Sequence, residues 1–130
     1  MQKTRTMKTI AFIISFLLIA VFTPELSAQK VSKWQEVSIK VSSQCGMCKE
    51  RIEKILAFEK GIKSAVVDLE KDEVSIVYNS KRTDVKSIRT AISKAGYDAD
   101  DVAADPKAYE KLPGCCKKPD DPKKKDCAEE

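Results

Sequence analysis

An α+β sandwich in the order β-α-β-β-α-β, its four-stranded antiparallel sheet carrying both helices on one face, is the fold predicted by this 130-residue chain. Three observations predict it. Between Trp34 and Ala104 the apolar residues recur first every second residue, then every third or fourth, and the switch repeats. Gly61 and Gly96 stand where each helical pattern gives way. The two β-α-β halves, each with a right-handed crossover, meet at a short charged turn that reads as a hairpin.

Val37, Ile39 and Val41 alternate as a half-buried first strand. After the turn-like run Ser42-Ser43-Gln44-Cys45-Gly46, the residues Ile52, Ile55, Leu56 and Phe58 carry helical spacing up to Gly61. Ala65, Val67 and Leu69 alternate again, Glu70 to Glu73 form the turn, and Val74, Ile76 and Tyr78 complete the hairpin. Thr83 is the expected N-cap of the second helix, with Asp84 favouring the positive end of its dipole. Val85, Ile88, Ile92 and Ala95 form its buried stripe and Gly96 ends it. Residues 97–104, with only Val102 and small alanines to bury, are the expected fourth strand of this ferredoxin-like arrangement. About a dozen aliphatic side chains face inward, enough for a small core without an enzyme-sized cavity.

The chain divides into an export signal over 1–28, a linker over 29–33, a domain over 34–104 and a Cys-, Lys- and Pro-rich extension over 105–130. Lys3, Arg5 and Lys8 precede a thirteen-residue apolar run from Ile10 to Phe22. That run is short of the roughly 20 residues a spanning helix needs. Pro24 and Leu26-Ser27-Ala28 then suggest cleavage after Ala28, with an uncleaved anchor as the alternative because Leu26 is large for its position, so the expected location is periplasmic or secreted. In the extension, Asp105-Pro106 is a helix start, Tyr109 and Leu112 are expected to dock on the domain, and the chain from Pro113 onward is expected to be mobile.

Composition narrows the chemistry. The signal holds three of the 24 basic and one of the 20 acidic residues, leaving a net charge of +2 with both signs interspersed. No clustered basic face with stacking aromatics calls for nucleic acid, and a monomer is expected. The absence of His removes imidazole metal sites and Ser-His or Cys-His catalysis, and no other acid-base constellation suggests an enzyme. Met47 is the one Met beyond the signal, which excludes a Met-rich copper site. The soft donors are therefore the thiols of Cys45, Cys48, Cys115, Cys116 and Cys127, an odd number in a chain bound for an oxidising compartment.

Cys45-Gly46-Met47-Cys48 lies where the first strand hands over to the first helix. The free N–H groups and partial positive charge of a helix N-terminus favour thiolate over thiol, and Lys49 and Arg51 add charge nearby. Two thiolates three residues apart can converge on one ion. Zn(II) normally takes four ligands, whereas a pair of thiolates suits Cu(I) foremost and Hg(II) second. A shell this open lets the thiols of a membrane metal transporter or of a second carrier take the ion over. A structural disulfide, or thiol-disulfide redox chemistry by the same pair, is the competing reading, although no Pro between Gln29 and Asp105 is available to face the cysteines as a cis-Pro.

Residues 34–104 resemble the heavy-metal-associated domain, the fold of copper chaperones, of the N-terminal modules of metal-pumping ATPases and of the periplasmic mercuric-ion carrier. The resemblance is carried by the strand at Val37–Val41, Cys45 with Cys48, Ile52 and Ile55, Gly61-Ile62, and Ala91-Ile92-Ser93-Lys94-Ala95-Gly96-Tyr97. It implies that Cys45 and Cys48 are the metal ligands and that Tyr97 shields the site. The usual loop has Gly-Met ahead of the first cysteine; here Ser43-Gln44 stands there and Gly46-Met47 falls between the cysteines. Met47 is accordingly expected to pack against or shield the site rather than ligate. The end of the fourth strand is expected on the side away from the metal loop, and residues 105–114 have the length to return on the order of 15 Å. Cys115 and Cys116 then either join Cys45 and Cys48, as a three- or four-thiolate site or a tail-to-loop disulfide, or form a separate thiol pair.

Overall fold

The computed structural model describes residues 32–126; the signal with its cleavage point, most of the linker and Cys127 lie outside that range. The described part opens with strand β1 (Trp34–Lys40), helix α1 (Gly46–Phe58), and the hairpin of β2 (Ile62–Asp68) and β3 (Glu73–Asn79). Helix α2 (Val85–Lys94), the short helix α3 (Pro106–Glu110) and a 3-10 turn over Gly114–Cys116 follow. β3 lies at the centre of an antiparallel sheet of order β1-β3-β2.

The register places the apolar set on one face. Ile39 pairs with Val74 and Val37 with Ile76, while Ala65 and Val67 oppose Ile76 and Val74 from the other side. A slip of one residue would turn that whole set to solvent, so the buried face fixes the register. Cys48, Ile52 and Leu56 of α1 and Ile88 and Ile92 of α2 close over it in a single cluster with Ile39, Val67, Val74 and Ile76. Burying each such side chain contributes about 1.5–3 kcal/mol.

Local chemistry explains the boundaries. The hairpin turn is held by the Asp68 carboxylate, which accepts from the N–H groups of Glu70 and Lys71, and Asp72 turns at φ 53°. Helix α2 is capped by Asp84, not Thr83: its Oδ1 accepts from Ser87 N at 2.7 Å. A carboxylate caps as well as a hydroxyl does and also complements the helix dipole, so the cap moves one residue on.

Among the described residues the sheet has three strands rather than the four expected. Residues 97–104 contribute only the single-residue bridges Val41–Ala99 and Ala99–Val102. Aspartates prevent a longer ladder. Asp100 turns at φ 52° and its carboxylate accepts from Lys40 N, while Asp98 Oδ1 accepts from Ala104 N. Side-chain oxygens thus take donors that a fourth strand would satisfy with carbonyls, and Ala99 and Val102 bond each other across a tight reversal.

That reversal changes the course of the extension. Asp105 N donates to Ser93 O, Asp105 caps α3 through Ala108 N, and the α3 backbone rests on Gly96. The chain from Pro113 to residue 126 is folded, contrary to the mobility expected of it. Leu112 is buried, Lys118 pairs with Asp98 at 2.7 Å, and Tyr109 Oη donates to Asp121 while accepting from Lys118 N. Lys117 is nearly fully buried, with its ammonium donating to Tyr109 O and lying 4.5 Å from the centre of that ring. Residues 105–126 thus form a strap held by polar contacts, so a search for apolar periodicity passes over it.

Two predictions follow from the strap. Gly96 has φ +98°, and a Cβ there would lie 3.0 Å from Ala108 C and Tyr109 N. Gly96→Ala should therefore cost roughly 1–3 kcal/mol in chemical denaturation. Burial alone would raise the Asp98 carboxyl, but the Lys118 ammonium and the Ala104 N–H hold it below the usual range. The stability this adds is present above the ordinary Asp value of about 3.9 and disappears as pH falls through the lower folded value. Asp98→Asn should flatten the acid limb of a stability-pH profile; an unchanged limb would show that the pair contributes nothing.

Candidate metal centre

The centre sits where the β1–α1 loop meets the strap. Cys45 is the N-cap residue of α1, in extended conformation, and its carbonyl accepts from Lys49 N at 3.1 Å. Cys48 follows in the first turn, which folds its sulfur back so that the two Sγ atoms lie 3.3 Å apart. Gly46 has open space where a Cβ would stand, so the loop does not need glycine for lack of room. Cys48 is buried, whereas Cys45 is partly open to solvent.

The strap delivers the second pair. The 3-10 turn carries Cys115 and Cys116, each 1% exposed, and places them against the loop. The sulfurs of Cys45, Cys115 and Cys116 all lie within 4.8 Å of one another, and the thiols of Cys48 and Cys116 interact directly. Lys124 Nζ holds the Cys115 carbonyl at 2.7 Å, and a Cβ on Gly114 would lie 2.9 Å from the Lys125 side chain. The tail cysteines thus lie beside the loop pair, Cys115 and Cys116 near Cys45 and Cys116 against Cys48.

Met47 and Tyr97 both lie against the cluster. Met47 Sδ is 3.6 Å from Cys115 Sγ and the residue is 38% exposed. Tyr97 is fully buried. Its hydroxyl makes no regular hydrogen bond, and the group beside it is the Cys116 thiol. A thiol sulfur is a weak acceptor, and a thiolate at Cys116 would accept from this hydroxyl more strongly.

Burial sets the electrostatics. It pushes the Cys48 thiol up, an effect that the Cys116 thiol and the Gln44 N–H only partly offset. Cys116 is raised further by burial and by Cys48. Tyr97 is raised by burial, by Cys116 and by the charge Cys48 would carry. The helix N-terminus expected to favour thiolate at Cys48 is therefore outweighed by desolvation. Burial thus disfavours the charged form of Cys48 and Cys116, and metal binding there is coupled to loss of their protons.

Residues 39–98 match the model of the heavy-metal-associated domain. The copper chaperone CopZ of Staphylococcus haemolyticus is 39% identical over 54 residues, 42% of this chain and 79% of that protein. The water-soluble region of the P-type ATPase CopA from Bacillus subtilis is 33% identical, with a TM-score of 0.50 over 53% of this chain and 46% of that one. Oxidized MerP from Ralstonia metallidurans CH34 gives a TM-score of 0.50 at 22% identity, over 52% of this chain and 94% of that one, a likeness of fold alone. None of these matches covers much more than half of this chain. A domain matched along most of its length by a relative of this identity, with the cysteine pair at the start of its first helix, settles the affiliation: the chain belongs to the heavy-metal-associated domain family, whose function is heavy-metal binding.

Proposed function

We propose that the protein is an exported carrier of a soft metal ion, Cu(I) foremost and Hg(II) second, held by Cys45 and Cys48. The observation that carries this reading is the Cys45–Cys48 sulfur pair, 3.3 Å apart at a helix start with one member reaching solvent. Sulfur is the softest donor available, and a chain without His has no imidazole to favour other ions. The relatives named for copper, a chaperone and an ATPase, support Cu(I) as cargo and a membrane metal transporter or second thiol carrier as partner. The leader over residues 1–28 supports periplasmic or secreted placement.

Transfer needs no change in the oxidation state of metal or sulfur. A partner thiolate bonds to the ion as one resident thiolate leaves it, and the departing sulfur regains a proton. This is carriage rather than catalysis. The alternative, redox chemistry by the same pair, is favoured by one observation: the two sulfurs already touch. In that case the thiols would give up two electrons and two protons to an external oxidant and form a disulfide.

Cys45→Ser/Cys48→Ser should abolish Cu(I) uptake in anaerobic competition with a Cu(I) chelator, and undiminished uptake would refute the carrier reading. A wild-type pair that cycles with a thiol reductase while retaining no metal would establish the redox alternative instead. Because burial disfavours the Cys48 thiolate, Cu(I) affinity should rise as pH is increased from about 6 to about 8. A flat profile over that range would contradict proton displacement.

A further inference from the structure

The strap raises a question that the two-cysteine carrier leaves open: why a second pair of thiols is buried against the first. We propose that Cys115 and Cys116 are ligands of the same metal ion, so that the chain closes a three- or four-thiolate shell with its own C-terminal segment. This rests on the carrier reading and extends it from an open two-thiolate rim to a site the protein itself completes.

The geometry fits. A tetrahedral ion with metal–sulfur bonds of about 2.3 Å spaces its sulfurs about 3.8 Å apart. Cys45, Cys115 and Cys116 form a triangle with no side above 4.8 Å, and Cys48 lies 3.3 Å from Cys45 and in contact with Cys116. Cys45, Cys115 and Cys116 are thus the three sulfurs near tetrahedral spacing, and Cys48 adjoins two of them. The polar anchors that hold the strap, Asp98–Lys118 and Lys124 on the Cys115 carbonyl, lie outside the sulfur cluster and do not compete for the ion.

Tyr97 gives independent support. Its buried hydroxyl meets the Cys116 sulfur, so the cysteine lies where the aromatic ring closes the site. A thiol is a weak acceptor for that hydroxyl, and a metal-bound thiolate at the same position is a stronger one.

Two consequences distinguish this site from a bare cysteine pair. The set of ions it takes widens to those requiring three or four thiolates, Zn(II) included. The internal pair also occupies the positions that a partner's thiolates would enter, so release requires the strap to lift.

X-ray absorption on the wild-type protein carrying one Cu(I) should find three or four sulfurs around the metal; two sulfurs would overturn the proposal. Cys115→Ser/Cys116→Ser should lose at least about tenfold in Cu(I) affinity and should lose Zn(II) binding, read by native mass spectrometry under reducing conditions. Unchanged binding in that variant, with loss in Cys45→Ser/Cys48→Ser, overturns the proposal and leaves the carrier reading standing. Unchanged binding in both variants removes both. If Cys115→Ser/Cys116→Ser fails to fold by circular dichroism, the sulfur count on the wild-type protein decides.

Discussion

Removing sulfur from water governs this molecule. Cys48, Cys115 and Cys116 are buried in the same apolar cluster as Ile39, Ile52 and Tyr97, an environment that penalises a negative charge. Burial disfavours the thiolate at Cys48 and Cys116, which pack as neutral thiols unless a cation compensates the charge. A soft cation reverses the balance, because a metal–thiolate bond replaces the hydration a lone thiolate would need. One environment thus serves two states: a closed apolar edge without metal and a charge-compensated centre with it. Selectivity follows from the same balance, since a hard, strongly hydrated ion gains little from sulfur and nothing from burial.

The sandwich provides the rigid side of this arrangement and the strap the conditional side. Helix α1 is fixed by Ile52 and Leu56 against the sheet, so Cys48 has little freedom. The strap is held differently. It meets the domain through the Asp98–Lys118 pair and through Leu112, Cys115 and Cys116 in the shared cluster, while the Lys123–Glu110 pair, the Tyr109 hydroxyl network and a buried lysine over an aromatic ring tie it together internally. Partly exposed ion pairs are each worth little, often under about 1 kcal/mol. A segment held this way can separate from the domain while the β-sheet and α1 remain intact.

Three strands and two helices were legible in the sequence because each obeys a single period and buries a single face; Ile39, Val74 and Ile92 lie where alternation and helical spacing put them. The cysteine pair was legible for the same reason, as a spacing at a strand-to-helix junction. The fourth strand was not, because Asp98 and Asp100 place carboxylates within bonding reach of backbone N–H groups, and that competition has no period. The cap at Asp84 was misassigned to its neighbour because adjacent Thr and Asp are both good caps. In the extension the helix start at Asp105-Pro106 and the docking of Tyr109 and Leu112 were legible, whereas the folded course from Pro113 onward was not, because lysines, aspartates and prolines are the residues of solvated tails. Its signal was present in Tyr109 and Leu112, and in the vicinal cysteines that a disordered tail has no need to bury.

The truncated fourth strand has an effect beyond the metal. At the C-terminal end of β1, Lys40 N donates to the Asp100 carboxylate, Lys40 O accepts from Asp100 N, and Arg89 clamps that carboxylate at 2.7 Å. At the opposite end the ammonium of Lys33 lies over the Trp34 ring. The edge strand β1 is therefore bordered at both ends by ionic groups, a pattern that discourages strand addition there. With β1 bordered in this way, the edge that remains open to backbone pairing among the described residues is β2, which bonds only β3 and carries the exposed Val66.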